Sequence, residues 1–100
     1  MPYLIEITDV ADQDLSETKK FYRQQIIDAN KEQLTHEPAL ETKNKKILLE
    51  FQPDFEHVPP VWRLRVGEHR VFYDVNEGEK RVVARTVRHK PPHTTTEQIV

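Results

Sequence analysis

Six arginines crowd the last forty residues: Arg63, Arg65, Arg70, Arg81, Arg85 and Arg88. Arg63 and Arg65 are two apart in the alternating segment Val61-Trp62-Arg63-Leu64-Arg65-Val66-Gly67. On a strand, that spacing puts both guanidiniums on one face and Trp62, Leu64 and Val66 on the other. Arg70 opens the next segment, just across Gly67-Glu68, and paired strands lie about 4.8 Å apart. Three guanidiniums therefore gather at one end of a sheet. Such a cluster fits phosphate, which arginine binds bidentately without losing its charge. The competing arrangement pairs the same arginines with Glu68, Asp74 or Glu50. Arg70 is expected to be accessible. His89, Lys90 and His93 follow the last apolar segment, and an imidazole titrating near 6.5 can move protons in phosphodiester cleavage. His69 is placed similarly at the hairpin, whereas His36 and His57 have no evident partner. Phe72 shares the Arg70 face and is the candidate for stacking on a base. Trp62 and Tyr73 are expected in the core.

Composition narrows the chemistry further. The chain has 100 residues, no Cys, 2 Gly and a net charge of -2. One domain over residues 1–100 accounts for that length. The lack of Cys excludes disulfides, thiolate metal sites and thiol nucleophiles. Two glycines are too few for a phosphate-cradling glycine loop. The five His (36, 57, 69, 89, 93) show no metal-ligand spacing, so neither metal nor other cofactor is expected. No apolar run approaches the roughly 18 residues of a membrane span. No signal-peptide pattern opens the chain, and a cytoplasmic protein is expected. Charge is segregated: residues 1–60 carry 7 Lys/Arg and 12 Asp/Glu, residues 61–100 carry 8 and 5. A basic surface in the second half follows.

The elements that must position these groups can be read in order. Tyr3–Thr8 is a strand with Tyr3, Ile5 and Ile7 on one face. Asp9 is the expected N-cap of a helical stretch over 10–35, which lacks Gly and Pro. Its apolar period slips between Leu15 and Tyr22, which predicts two helices meeting near Lys20-Phe21 or one kinked helix. Pro38 ends the run. Lys43–Lys46 reads as a charged loop, 47–51 as a short strand or a helical turn, and Pro53–Pro60 as an irregular loop. Strands follow at 61–67, 69–75 and 80–88, joined by turns at Gly67-Glu68 and Asn76–Glu79. The expected fold is α+β, in the order β-α-α-β-β-β, with two helices on a mainly antiparallel four-stranded sheet.

The stretch Trp62-Arg63-Leu64-Arg65-Val66-Gly67-Glu68-His69-Arg70-Val71-Phe72-Tyr73-Asp74-Val75, followed by a valine-rich strand and the basic Arg88-His89-Lys90, resembles the core signature of the RelE/ParE family of bacterial toxins. Upstream, Gln33-Leu34 then Pro38, and Lys43-Asn44 before the sheet resumes, fit the same family. The resemblance implies a toxin paired with an antitoxin. RelE-like members enter the ribosomal A site and cut mRNA without metal, by attack of the 2′-OH on the adjacent phosphate. It implies catalytic roles for Arg70, Arg65, His89 and Lys90, with Arg70 stabilising the phosphorane. Arg63, Arg65, Arg85, Arg88 and Phe72 are the implied RNA contacts. The tail Pro91–Gln98 lacks the tyrosine that many RelE-like nucleases carry there. Two alternatives keep the same fold: a ParE-like inhibitor of DNA gyrase, and a non-catalytic module that only binds antitoxin.

Overall fold

The computed structural model describes residues 2–49, 53–91, 93, 94 and 99. Glu50, Phe51 and residues 95–98 of the tail, which figure in the expectations above, lie outside the described residues. The elements are β1 (Leu4–Ile7), α1 (Asp9–Ser16), α2 (Lys20–Leu34), β2 (Lys45–Leu48), β3 (Val61–Val66), β4 (His69–Asn76) and β5 (Arg81–His89). They form a five-stranded sheet in the order β1-β5-β4-β3-β2. β1 runs parallel to β5 and every other pair is antiparallel. The α+β class holds, with one strand more than the expected four.

The extra strand is β2, which begins inside the stretch expected to be a charged loop. Its alternation explains why. Lys46 faces out, while Lys45 turns inward and its Nζ donates to the Gln33 and Glu37 carbonyls at 3.0 and 2.7 Å. A lysine thus satisfies carbonyls at and beyond the end of α2. Burial lowers its pKa, and Glu37 works against that shift.

The helical stretch divides into two helices, and the break falls at 17–19. Arg23 holds the joint: its guanidinium donates to the Leu15 and Thr18 carbonyls at 2.9 and 3.0 Å. The N-cap is Thr8 rather than Asp9. Its hydroxyl accepts from the Ala11 N–H at 3.2 Å and donates to the Ala84 carbonyl at 2.9 Å, so it joins helix start to sheet.

One face of the sheet meets the helices. Trp62, Leu64, Val71, Tyr73, Val82, Ala84 and Val87 pack there with Ala11, Leu15, Ile26 and Leu34. Trp62 and Tyr73 stack at 6.2 Å, and the Tyr73 hydroxyl donates to the Pro38 carbonyl at 2.7 Å. Burial pushes that phenol well above its usual range. All of the alternate positions of β3 and β4 then face away from the helices.

Between β4 and β5 the pairing steps from Phe72↔Thr86 to Tyr73↔Ala84, which leaves Arg85 as an extra residue. This bulge turns Arg85 outward beside Asp74. On its other side β5 loses its partner where β1 ends, opposite Ala84, and that edge is closed from α1: Asp14 Oδ2 accepts from the Thr86 hydroxyl at 2.6 Å and from the Val87 N–H at 3.0 Å.

Candidate nucleic-acid interface

The outer face of the sheet carries the arginines. Register puts Arg65 opposite Arg70, and Arg70 opposite Arg88. The next row holds Lys46, Arg63 and Phe72. Three arginines stand side by side across three strands, with two more cations on the adjoining row. Like charges directly opposite one another are unfavourable in a sheet. The arrangement persists because the strands are held from the other face, by the core.

Their partners among the described residues are few. Arg70 donates from one nitrogen to the Gly67 and His69 carbonyls, both at 2.9 Å. Its Nε is buried with no partner, as is the Nε of Arg63. Burial lowers the pKa of Arg63, and Arg65 lowers it further. Arg70 is lowered by burial and then by Arg63 and Arg65. Both stay charged at neutral pH, since a guanidinium remains strongly basic even when lowered. Buried donors without acceptors, inside a field of like charge, are what an incoming phosphate relieves.

The structure corrects several sequence expectations. Arg70 is not accessible. Only 6% of its surface is exposed, so it braces the hairpin turn beneath the row. Phe72 is fully buried at 0% and cannot meet a base directly. Phe55, from the loop between β2 and β3, lies over it at 5.7 Å. Arg85 is occupied: its Nε meets Asp74 Oδ2 at 2.6 Å, inside the sheet's cover. Arg88 stays on the outer face but is held by Asp54 at 3.6 Å, the Ile99 carbonyl at 2.8 Å and the Phe55 ring at 5.5 Å. Arg63 and Arg65 remain with no described acid.

His89 leaves the arginines altogether, because it alternates with Arg88. It sits at the sheet's end on the helix side, with its Nε2 at 3.1 Å from Glu68 Oε2. The His69 ring is 5.3 Å away, and Tyr22 of α2 lies 5.4 Å beyond that. These side chains line a cleft of about 620 Å³ with Lys19 and Glu17. His69 has a lowered pKa, chiefly from burial and then from His89, with Arg70 adding to the shift and Glu68 opposing it. A neutral imidazole able to accept a proton therefore stands beside one hydrogen-bonded to a carboxylate. Lys90 is tied to the same turn through its N–H, which donates to the Glu68 carbonyl at 2.6 Å. His93 lies beyond it in the tail.

Sequence reasoning missed Lys46, Phe55 and the partnership of His69 with His89. Lys46 would have followed from carrying strand alternation back to residue 45. Phe55 gives no local signal, since nothing in a proline-bounded loop says which face it crosses. Among the described residues no three His, Asp or Glu are grouped to hold a metal. No described helix is long and apolar enough to cross a membrane.

The central meander β3-β4-β5, basic on one face and covered by two helices on the other, defines a small α+β fold, and comparison with known proteins makes the family plain. Residues 5–90 match the family model described as the ParE toxin of the type II toxin–antitoxin system parDE. The chain belongs to that family, within the RelE/ParE toxins. Its fold is similar to a chain of the RelBE2 toxin–antitoxin complex of Mycobacterium tuberculosis, with a TM-score of 0.71 and 21% identity, over 90% of this chain and 100% of that one. It is similar also to a chain of the archaeal RelE–RelB complex of Pyrococcus horikoshii, with a TM-score of 0.69 and 24% identity, over 95% and 100%. No curated protein sequence matches this one.

Proposed function

We propose that this toxin acts in the cytoplasm as a RelE-like, ribosome-dependent mRNA endoribonuclease. The observation that carries the reading is the cross-strand row Arg65, Arg70 and Arg88 with Arg63 beside it. A phosphodiester backbone laid on this face gives the guanidiniums their missing partners. In the cleavage step the 2′-oxygen of one nucleotide attacks the adjacent phosphorus. The 5′-oxygen leaves, and a 2′,3′-cyclic phosphate remains. Arg63 and Arg65 meet the charge that grows on the non-bridging oxygens. Arg70 holds the hairpin that aims them and is a positioning residue. His89, at the end of the sheet beside Glu68, lies on the opposite side from Arg63 and Arg65 and takes no part in this step. Lys90 adds charge at the same end.

A cognate antitoxin is the expected partner. Its segment over Arg63 and Arg65 is net acidic, and a complex that left both arginines uncovered would refute that.

The second reading is ParE-like inhibition of DNA gyrase. It is favoured by one observation: Arg63 and Arg65 share their face with no described histidine pair, since His69 and His89 lie on the other side. The test is a reconstituted translation reaction with purified protein, reading mRNA 5′ ends with and without ribosomes. Cuts that require ribosomes support the nuclease. Intact mRNA with normal translation removes it, and loss of gyrase supercoiling activity would then support the second reading.

A further inference from the structure

The loop between β2 and β3 crosses the arginine face, and its contacts are those of a nucleotide. Asp54 sets a carboxylate 3.6 Å from Arg88. Phe55 sets a ring 5.7 Å from Phe72 and 5.5 Å from the Arg88 guanidinium. An anion on an arginine, joined to a flat apolar ring packed against an aromatic at a 44° tilt, follows the chemistry of phosphate and base on a single-strand binding face. We propose that residues 53–60 form a strap that fills a nucleotide subsite, Asp54 standing where a phosphate binds Arg88 and Phe55 where a base stacks on Phe72. The inference rests on the outer face being the RNA interface.

The two ends of the strap differ in strength. At the Val58 end, the backbone N–H donates to Asp74 Oδ2 at 3.0 Å, and Asp74 is itself locked to Arg85. At the Asp54 end, the carboxylate is 79% exposed and its contact is long for an ion pair. His57 turns back on its own loop: Nδ1 lies 2.8 Å from the Phe55 carbonyl and the two rings are 5.8 Å apart. The Asp54–Phe55 tip is therefore the part that lifts, and it hinges on Val58. Lifting frees one nitrogen of Arg88, while the other keeps the Ile99 carbonyl at 2.8 Å. It also uncovers Phe72, the residue whose sequence position suggested a base-stacking role.

A strap that competes with nucleic acid gives variants of opposite sign from a loop that helps bind it. The probe is a fluorescein-labelled deoxyhexanucleotide, which has no 2′-hydroxyl and is not cut. Its affinity for the full chain is measured by anisotropy. Asp54→Asn is expected to tighten binding roughly threefold, the scale of one exposed ion pair. Asp54→Asn with Phe55→Ala is expected to tighten it roughly tenfold, as the cation–π contact goes too. Adding Arg88→Ala should abolish the gain. Unchanged or weaker binding in both strap variants overturns the proposal. If Phe55→Ala does not fold, Asp54→Asn decides alone, since an exposed carboxylate can be replaced without disturbing packing. Arg65→Ala separates the two levels. If it weakens binding while the strap variants bring no gain, the RNA face stands and the strap falls. If it has no effect and the strap variants bring no gain, both fall.

Discussion

Arg85 and Arg63 stand on the same face of one sheet and are treated in opposite ways. Arg85 meets Asp74 at 2.6 Å, with side chains only 15% and 6% exposed. Asp74 also takes the Val58 N–H, so acid, arginine and loop form one closed network. Arg63 has no described acid, a buried Nε with no partner, and Arg65 close enough to lower its pKa. The first is what a fold does with an arginine it uses for structure. The second is what a fold tolerates when the charge is wanted by something else. Proteins break local rules of charge placement mainly at functional sites. The comparison also sorts Arg81, which has Glu6 at 3.8 Å, with the structural group.

The sharpest way to break the comparison is Asp74→Ala. It leaves a largely buried guanidinium and the Val58 N–H uncompensated, and a loss of about 3–5 kcal/mol in unfolding free energy is expected. Urea denaturation would show it, and a loss below about 1 kcal/mol would mean Asp74 is no keystone. At the other end the sign of the stability effect differs. Arg65→Ala and Arg63→Met should leave the urea midpoint unchanged or raise it, because a like-charge neighbour is gone. The same variants should slow ribosome-dependent cleavage on the order of 100-fold, the scale for losing one partner of transition-state charge. Lower stability with normal cleavage would move both residues into the structural group.

Smaller effects sharpen the geometry that carries the row. Gly67 has φ +59 with open space where a Cβ would stand, so Gly67→Ala should cost only the left-handed backbone penalty, about 1–2 kcal/mol. The pH dependence should be smaller still. His69 has a folded pKa below the ordinary 6.5, so the unfolded chain binds the proton more readily. Its contribution holds its full value above pH 6.5 and is lost as pH falls from there through the lower folded value. The midpoint of urea unfolding should drop across that window, and His69→Gln should flatten the drop. An equal drop in the variant would assign the effect to another group.

Much of this was legible in local sequence. Alternation in Trp62–Val66 determined which residues of β3 enter the core, because a strand has a period of two and one face must be apolar. The same rule put Arg63 and Arg65 together on the far face. Gly67-Glu68 marked the hairpin, and the phase slip after Leu15 marked the break between helices. What tertiary structure decided is which charges are answered. Asp74 and Arg85 meet because a bulge in β5 turns one residue outward. Phe72 is covered because a loop far from it in sequence folds across. His89 and Arg88, neighbours in the chain, end on opposite faces, so the site inferred by proximity in sequence is divided by the sheet itself. Residue types and strand period are properties of the chain. Burial, partners and field depend on segments brought together from afar, and they determine whether an arginine is a strut or a binding site.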